Sequence, residues 1–293
     1  MADSIPSTSN PLHEDKSEHL AGSSSLQRPD VVRDLNIGHF MTQPQGQPLE
    51  LHETRIFSIK QGHVDAMVNM IDQHIEAGDL IYLGHGSIIQ YHYASDDVSG
   101  FGLSLSDELL RLAIGNCHAK AFDGHQSSFV LRLKADDMDF LDQLHQLLHK
   151  QVQQAAESGQ VALHIAGAFL CHVDYLWNRQ EQTTRESLSR EQRFFADFIQ
   201  LVSQHAPSQH TIDFYASQLS ITPRYLSTII KQVSGKSAKQ WIDEALATRI
   251  KIELKHSRKP IALICEELNF PNPSFFAKFF KRMTGITPLD YRR

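Results

Sequence analysis

Cysteine is scarce in this 293-residue sequence. Cys117, Cys171 and Cys265 are widely spaced and odd in number, which argues against a disulfide framework and against a CxxC metal site. Long apolar runs are missing too. No stretch approaches the ~18 consecutive apolar residues of a membrane span, and Met1–Pro11 has no apolar signal region, so a cytoplasmic protein making no membrane contact is expected. Phosphate-cradling and nucleophile motifs are absent: there is no GxxxxGKS/T, no Rossmann GxGxxG and no GxSxG. No catalysis and no cofactor are expected. What remains is a chain with 41% hydrophobic residues, enough for two modest domains.

The net charge of -6 hides a division along the chain. Residues 189–293 carry 16 Lys+Arg against 9 Asp+Glu, a net +7, which leaves -13 on residues 1–188. A basic end on an acidic chain is the footprint of nucleic-acid binding.

Residues 1–35 are rich in Ser, Pro, Asn, His and charge and show no periodic apolar face, the composition of a disordered arm. From residue 36 the pattern is short. Runs at Arg55–Ile59, His63–Val68, Asp79–Leu83 and Ser87–Tyr93 are strand-length, separated by turn residues, and predict a small β-barrel or sandwich. After Ala135 the period becomes helical. Leu141, Leu144, Leu148 and Val152 form one stripe; Val161, Ile165, Phe169, Val173 and Leu176 form another, so a helical hairpin is expected over 137–178. The first stripe either packs on its own domain or forms a homodimer seam. Residues 179–189 are polar and read as the linker to a helical domain at 190–293. The fold class expected is α+β.

The C-terminal part contains a duplication. An offset of 50 aligns Pro223 with Pro273, Leu226 with Phe276, Ile230 with Phe280, Lys231 with Lys281, Gly235 with Gly285 and Trp241 with Tyr291. Upstream the offset is 49, pairing Ile212 with Ile261, Ala216 with Cys265 and Leu219 with Leu268. Each copy, about 211–234 and 260–284, reads as short helix, tight turn, second helix, with Thr222 as a cap ahead of Pro223 and Asn269 suited to a left-handed turn. That is the helix-turn-helix plan, whose second helix enters the major groove. Ser237–Ser257, free of Gly and Pro, predicts a connecting helix of about 30 Å at ~1.5 Å per residue, close to the ~34 Å repeat of the groove.

Helix phase sorts the side chains. Leu226, Ile229 and Ile230, and Phe276, Phe279 and Phe280, face inward. Arg224, Ser227, Thr228, Ser274, Phe275 and Lys278 lie toward the recognition-helix starts and are candidates to read bases. Tyr225, Lys231, Lys281 and Arg282 are candidates for phosphate.

These residues, with the ending Phe279-Phe-Lys-Arg-Met-Thr-Gly-Ile-Thr-Pro-Leu-Asp-Tyr-Arg292, resemble the AraC/XylS family of transcription regulators over about 211–293. Leu246, Ile250 and Glu253 depart from the family pattern, as do Cys265 and Asn269. The resemblance implies a regulator of double-stranded promoter DNA, commonly an activator contacting RNA polymerase, with an N-terminal domain for a small-molecule effector or dimerisation. Gly78–Gly86 is similar to the cupin-type sensor of that family, with His85 where Pro is usual. Cupins can be metalloenzymes, and this chain has 17 histidines. Their metal centre needs a close His-x-His, a Glu and a later His; only His92 resembles a ligand, while His63 and His74 lack the neighbours, so no metal is expected. The rival readings are a metal-dependent cupin enzyme, a helical interaction protein, and a nonspecific architectural DNA binder.

Overall fold

The computed structural model describes residues 33–34, 46–115, 117, 119–123, 127–154 and 159–293. Among these residues the N-terminal part has nine strands: β1 Arg33–Asp34, β2 Pro48–Glu50, β3 Thr54–Gln61, β4 His63–Val68, β5 Ile71–Glu76, β6 Asp79–Leu83, β7 Ile88–Ala94, β8 Ser99–Leu105 and β9 Ser128–Arg132. They form two antiparallel sheets, ordered β1-β8-β3-β6-β9 and β2-β7-β4-β5. Among the described residues no strand pairing joins the sheets, so the arrangement is a sandwich and not a closed barrel. Most of the arm expected at 1–35 lies outside the described residues, apart from β1, which pairs with β8.

The hydrophobic pattern explains the layering. Every residue of β6 is buried, as a strand covered on both faces requires. Ile81 and Leu83 join Phe57, Val68, Ile75 and Ile89 between the sheets. Leu80 and Tyr82 point the other way, with Ile56 and Leu103, into a core shared with helices. β5, in contrast, alternates partly covered and exposed positions, with Ile75 buried, and has one solvated face.

Those helices are α1 Asp107–Ile114, α2 Ala135–Gln154 and α3 Gly159–Ser187; a 3-10 turn lies at Lys120–Phe122. Helix α1 starts where Leu109 N donates to the Ser106 hydroxyl, a cap that the strand-based reading of this segment overlooked. Leu141 and Leu148 are fully buried against Phe169, Leu170 and Val173, with Leu144 and Val152 packed on the same core. Within the chain this stripe lies against its own domain; among the described residues, the large apolar side chains exposed on the hairpin are Phe140, Leu147, Val161 and Tyr175. The tip of the hairpin lies outside the described residues. Residues 179–187, expected as linker, continue α3 as helix.

From Arg190 on, everything regular is helical: α4 Arg190–His205, α5 Ile212–Gln218, α6 Pro223–Ser234, α7 Ala238–His256, α8 Ile261–Glu267, α9 Pro273–Thr284 and α10 Pro288–Arg292. Helices α4 and α7 each begin with a reciprocal capping box, Ser189 with Gln192 and Ser237 with Gln240, which satisfies two of the free backbone donors at each start. Among the described residues, no helix is long and apolar enough to cross a membrane.

Candidate nucleic-acid interface

The two helical units repeat each other in backbone detail. In the turn between α5 and α6, Ser220 has φ 54°; at the equivalent place between α8 and α9, Asn269 has φ 53°. Ile221 N donates to Ala216 O and Phe270 N to Cys265 O, closing the same turn twice. The second helix of each unit then starts on a side-chain cap followed by Pro. Tyr225 N donates to Thr222 Oγ1 and Phe275 N to Asn272 Oδ1. Each ends on a left-handed glycine, Gly235 at φ 75° and Gly285 at φ 84°, a conformation that a Cβ disfavours. Asn269 takes the left-handed position expected of it; Ser220 takes the same one, and its sequence carried no comparable signal.

Helix α7 is the shared wall. Trp241, Ile242 and Ala245 on its first half pack with Leu226, Ile230, Tyr215 and Phe198. Leu246, Ile250 and Leu254 on its second half pack with Ile264, Phe276 and Phe280. At ~1.5 Å per residue its 19 residues extend about 28 Å. Asp243, nearly buried on α7, ties α9 to the shared wall: Lys239 Nζ, one turn away on the same helix, lies 2.7 Å from its carboxylate and Arg282 Nη2 of α9 lies 3.3 Å away. Sequence reasoning missed Asp243, for which only the Lys239 spacing of one helical turn was a signal.

Ile229 is buried and Phe279 half-buried, as the helix phase predicts. The opposite faces of α6 and α9 are open. Arg224, Tyr225, Ser227, Thr228 and Lys231 are exposed on α6, and Ser274, Phe275, Lys278, Lys281 and Arg282 on α9. Phe275 is 63% exposed, a large apolar surface for a position that no contact within the chain requires. The Ser227 and Thr228 hydroxyls donate back to the carbonyls of Pro223 and Arg224, leaving their oxygens as acceptors for a partner. Arg282 is divided between Asp243 and the face of Phe279, 5.3 Å from the ring centre, so it supports α9 besides adding charge.

The sheet domain touches this unit at the turn after β4 and at β2. Asn69 and Met70 both have positive φ, 46° and 73°, and make the tight turn between β4 and β5. That turn carries Met70 and Ile71 onto the core of Phe198, Val202 and Trp241. Beside it Arg249 of α7 meets Glu50 of β2 at 2.6 Å and Glu253 at 2.9 Å. Burial works against the Arg249 charge, but the two carboxylates outweigh it and hold its guanidinium above its ordinary range. Glu50 and Arg249 border a cleft of about 740 Å³ between the two parts. The space between the sheets is about 50 Å³ and lined by apolar residues such as Phe57, Val68 and Ile89.

Histidines do meet on the outer sheet face: the His63 and His74 rings are 5.1 Å apart, and His92 Nε2 is 3.8 Å from Asp72. Among the described residues no group of three or more His, Cys, Asp or Glu is placed to hold a metal ion.

Residues 215–293 match the family described as the helix-turn-helix domain. The C-terminal segment is a helix-turn-helix domain. The arabinose operon regulatory protein of Salmonella typhimurium is 29% identical to the chain over 97 residues, 33% of this chain and 34% of that protein. Its Escherichia coli counterpart is 30% identical over 94 residues, 32% of each. The match thus spans about a third of the length of each of these two curated relatives. Among solved structures, the C-terminal domain of AraT, a response regulator from Geobacillus stearothermophilus, shares 27% identity over 36% of this chain and 88% of that one, with a TM-score of 0.34.

Proposed function

We propose that this protein is a sequence-specific transcription regulator of AraC type that inserts α6 and α9 into successive major grooves of promoter DNA. The observation that carries the reading is the doubled unit on one wall: two capped helices, each with its apolar face buried on α7 and its polar face open. An α7 of about 28 Å is commensurate with the ~34 Å groove repeat. In this scheme Arg224, Ser227, Thr228, Ser274, Phe275 and Lys278 read base edges, Arg224 and Lys278 as donors to guanine and Phe275 against a thymine methyl. Tyr225, Lys231, Lys281 and Arg282 hold phosphate and set register. Contact with RNA polymerase belongs to the same reading.

The N-terminal domain modulates the reader through the Met70 turn and the Glu50–Arg249 pair. A cleft of 740 Å³ falls within the ~300–1,000 Å³ of small-molecule sites, whereas 50 Å³ between the sheets does not. An effector in the cleft would act directly on residues of α7. Hydroxyl-radical footprinting of the full chain on a selected operator tests the scheme: two protected patches one helical turn apart on one DNA face are expected, and a single patch would overturn it.

A further inference from the structure

Two of the three cysteines, 54 positions apart in sequence, stand together: the Cys171 thiol lies 3.5 Å from the Cys117 sulfur. Cys117 is exposed and Cys171 partly so, and both are free; Cys265 is buried elsewhere, against Ile264 and Phe280. The approach is fixed by packing on both sides. One turn before Cys171, Gly167 of α3 receives the end of α1 so closely that a Cβ there would stand 2.5 Å from Ala113 O. Nearly one turn after it, Asp174 Oδ1 accepts a hydrogen bond of 2.8 Å from Ala121 N. Gly167, Cys171 and Asp174 therefore line one face of α3, and Ala113, Cys117 and Ala121 follow along it in order. A disulfide needs ~2.05 Å between sulfurs, a closing movement of about 1.5 Å from the observed separation.

We propose that Cys117 and Cys171 form a peroxide-responsive dithiol that closes to an intramolecular disulfide. The exposed Cys117 reacts first. Its thiolate attacks a peroxide oxygen, the O–O bond breaks, and Cys117 sulfenic acid and hydroxide result. Cys171 sulfur then attacks the sulfenic sulfur; the S–O bond breaks, its proton and the expelled hydroxide leave as water. In sum two thiols and one hydrogen peroxide give one disulfide and two waters, and a dithiol reductant returns both electrons. Burial, with the neighbouring Cys117, pushes the Cys171 thiol up, in keeping with its role as the second partner. Closure staples Cys117 and its described neighbours to α3. Leu110, Arg111, Phe122 and Asp123 flank that segment and wall the cleft between the two parts of the chain, so oxidation stiffens the cleft wall. This inference goes beyond the DNA-binding reading and does not depend on it.

The test is peroxide titration of the reduced full chain, followed by thiol counting in denaturant, peptide mass mapping and thermal unfolding. The expected result is a fall from three thiols to one, a linked peptide pair containing Cys117 and Cys171, and a rise on the order of 5 °C in the unfolding transition of the N-terminal part. Dithiothreitol restores all three thiols. Cys117→Ser and Cys171→Ser each abolish the linked pair and the rise. Three persisting thiols, sulfinic acid on Cys117 without a link, a cross-link between chains, or an unchanged transition in the linked protein would each overturn the proposal.

Discussion

Arg249 of the shared helix α7 is held by Glu50 of strand β2 at 2.6 Å, across the junction between the two parts of the chain. Both side chains are about three-quarters buried, and the same guanidinium also holds Glu253. A cation placed this way is costly to strand, because burial penalises a charge that loses its partner.

Glu50→Gln and Arg249→Gln are therefore expected to be non-additive. A double-mutant cycle read by denaturant unfolding should give a coupling of about 1 kcal/mol or more. Additive effects would mean that the pair contributes nothing to docking.

The faces of α9 separate cleanly. Phe280→Ala removes a fully buried ring and is expected to cost about 3–5 kcal/mol. Phe275→Ala, one and a half turns away on the open face, should change stability by less than about 0.5 kcal/mol while weakening specific DNA binding. Equal losses of stability would place the helix in the wrong phase.

Ser220 holds a left-handed conformation, φ 54°, which costs an L-residue about 1–2 kcal/mol. Ser220→Gly should raise stability by a fraction of that cost, since glycine also gives up more freedom on folding. Asn269→Gly should gain less, because Asn269 Nδ2 donates to Ser208 O at 3.2 Å and that bond would go. Chemical denaturation of the two variants compares them directly; a loss in Ser220→Gly would contradict the turn geometry.

His210 lies beside Phe270, and burial pushes its imidazole below the ordinary histidine range, with Lys239 acting in the same direction and the Pro207 carbonyl and Asp243 against it. The folded chain then binds fewer protons than the unfolded one below pH ~6.5. The contribution of neutral His210 is complete above that pH and declines as the pH falls. Thermal unfolding of wild type and His210→Gln between pH 7.5 and 5 should show a steeper acid loss in the wild type; a shallower one would reverse the sign.

The helical half was legible because its signals are local. Caps, Pro at helix starts, Gly at helix ends and the offset of 49 to 50 residues all lie within short windows, and they located α6 and α9 to within a residue. Their outer faces followed from helix period alone. The sheets were harder. Leu80–Leu83 is apolar throughout, so its sequence shows a buried strand without telling a barrel from a sandwich, and the helical hairpin that covers one of its faces begins some 50 residues later. The stripe of Leu141 and Leu148 showed an apolar face but not what covers it. Glu50 and Arg249 are 199 positions apart, and nothing in a single sequence links them.

The central claim is that α6 and α9 read DNA sequence. Its most direct measurement is a fluorescence polarisation titration of the full chain with a selected operator and with a scrambled duplex across a salt series. The account predicts salt-steep binding to both, with the operator preferred by ~10³-fold or more. Arg224→Ala and Lys278→Ala should each lose ~5- to 150-fold on the operator alone, whereas Lys281→Ala weakens both duplexes alike and lowers the salt slope by about one. Equal affinity for operator and scrambled duplex, unchanged by Arg224→Ala and Lys278→Ala, would contradict it.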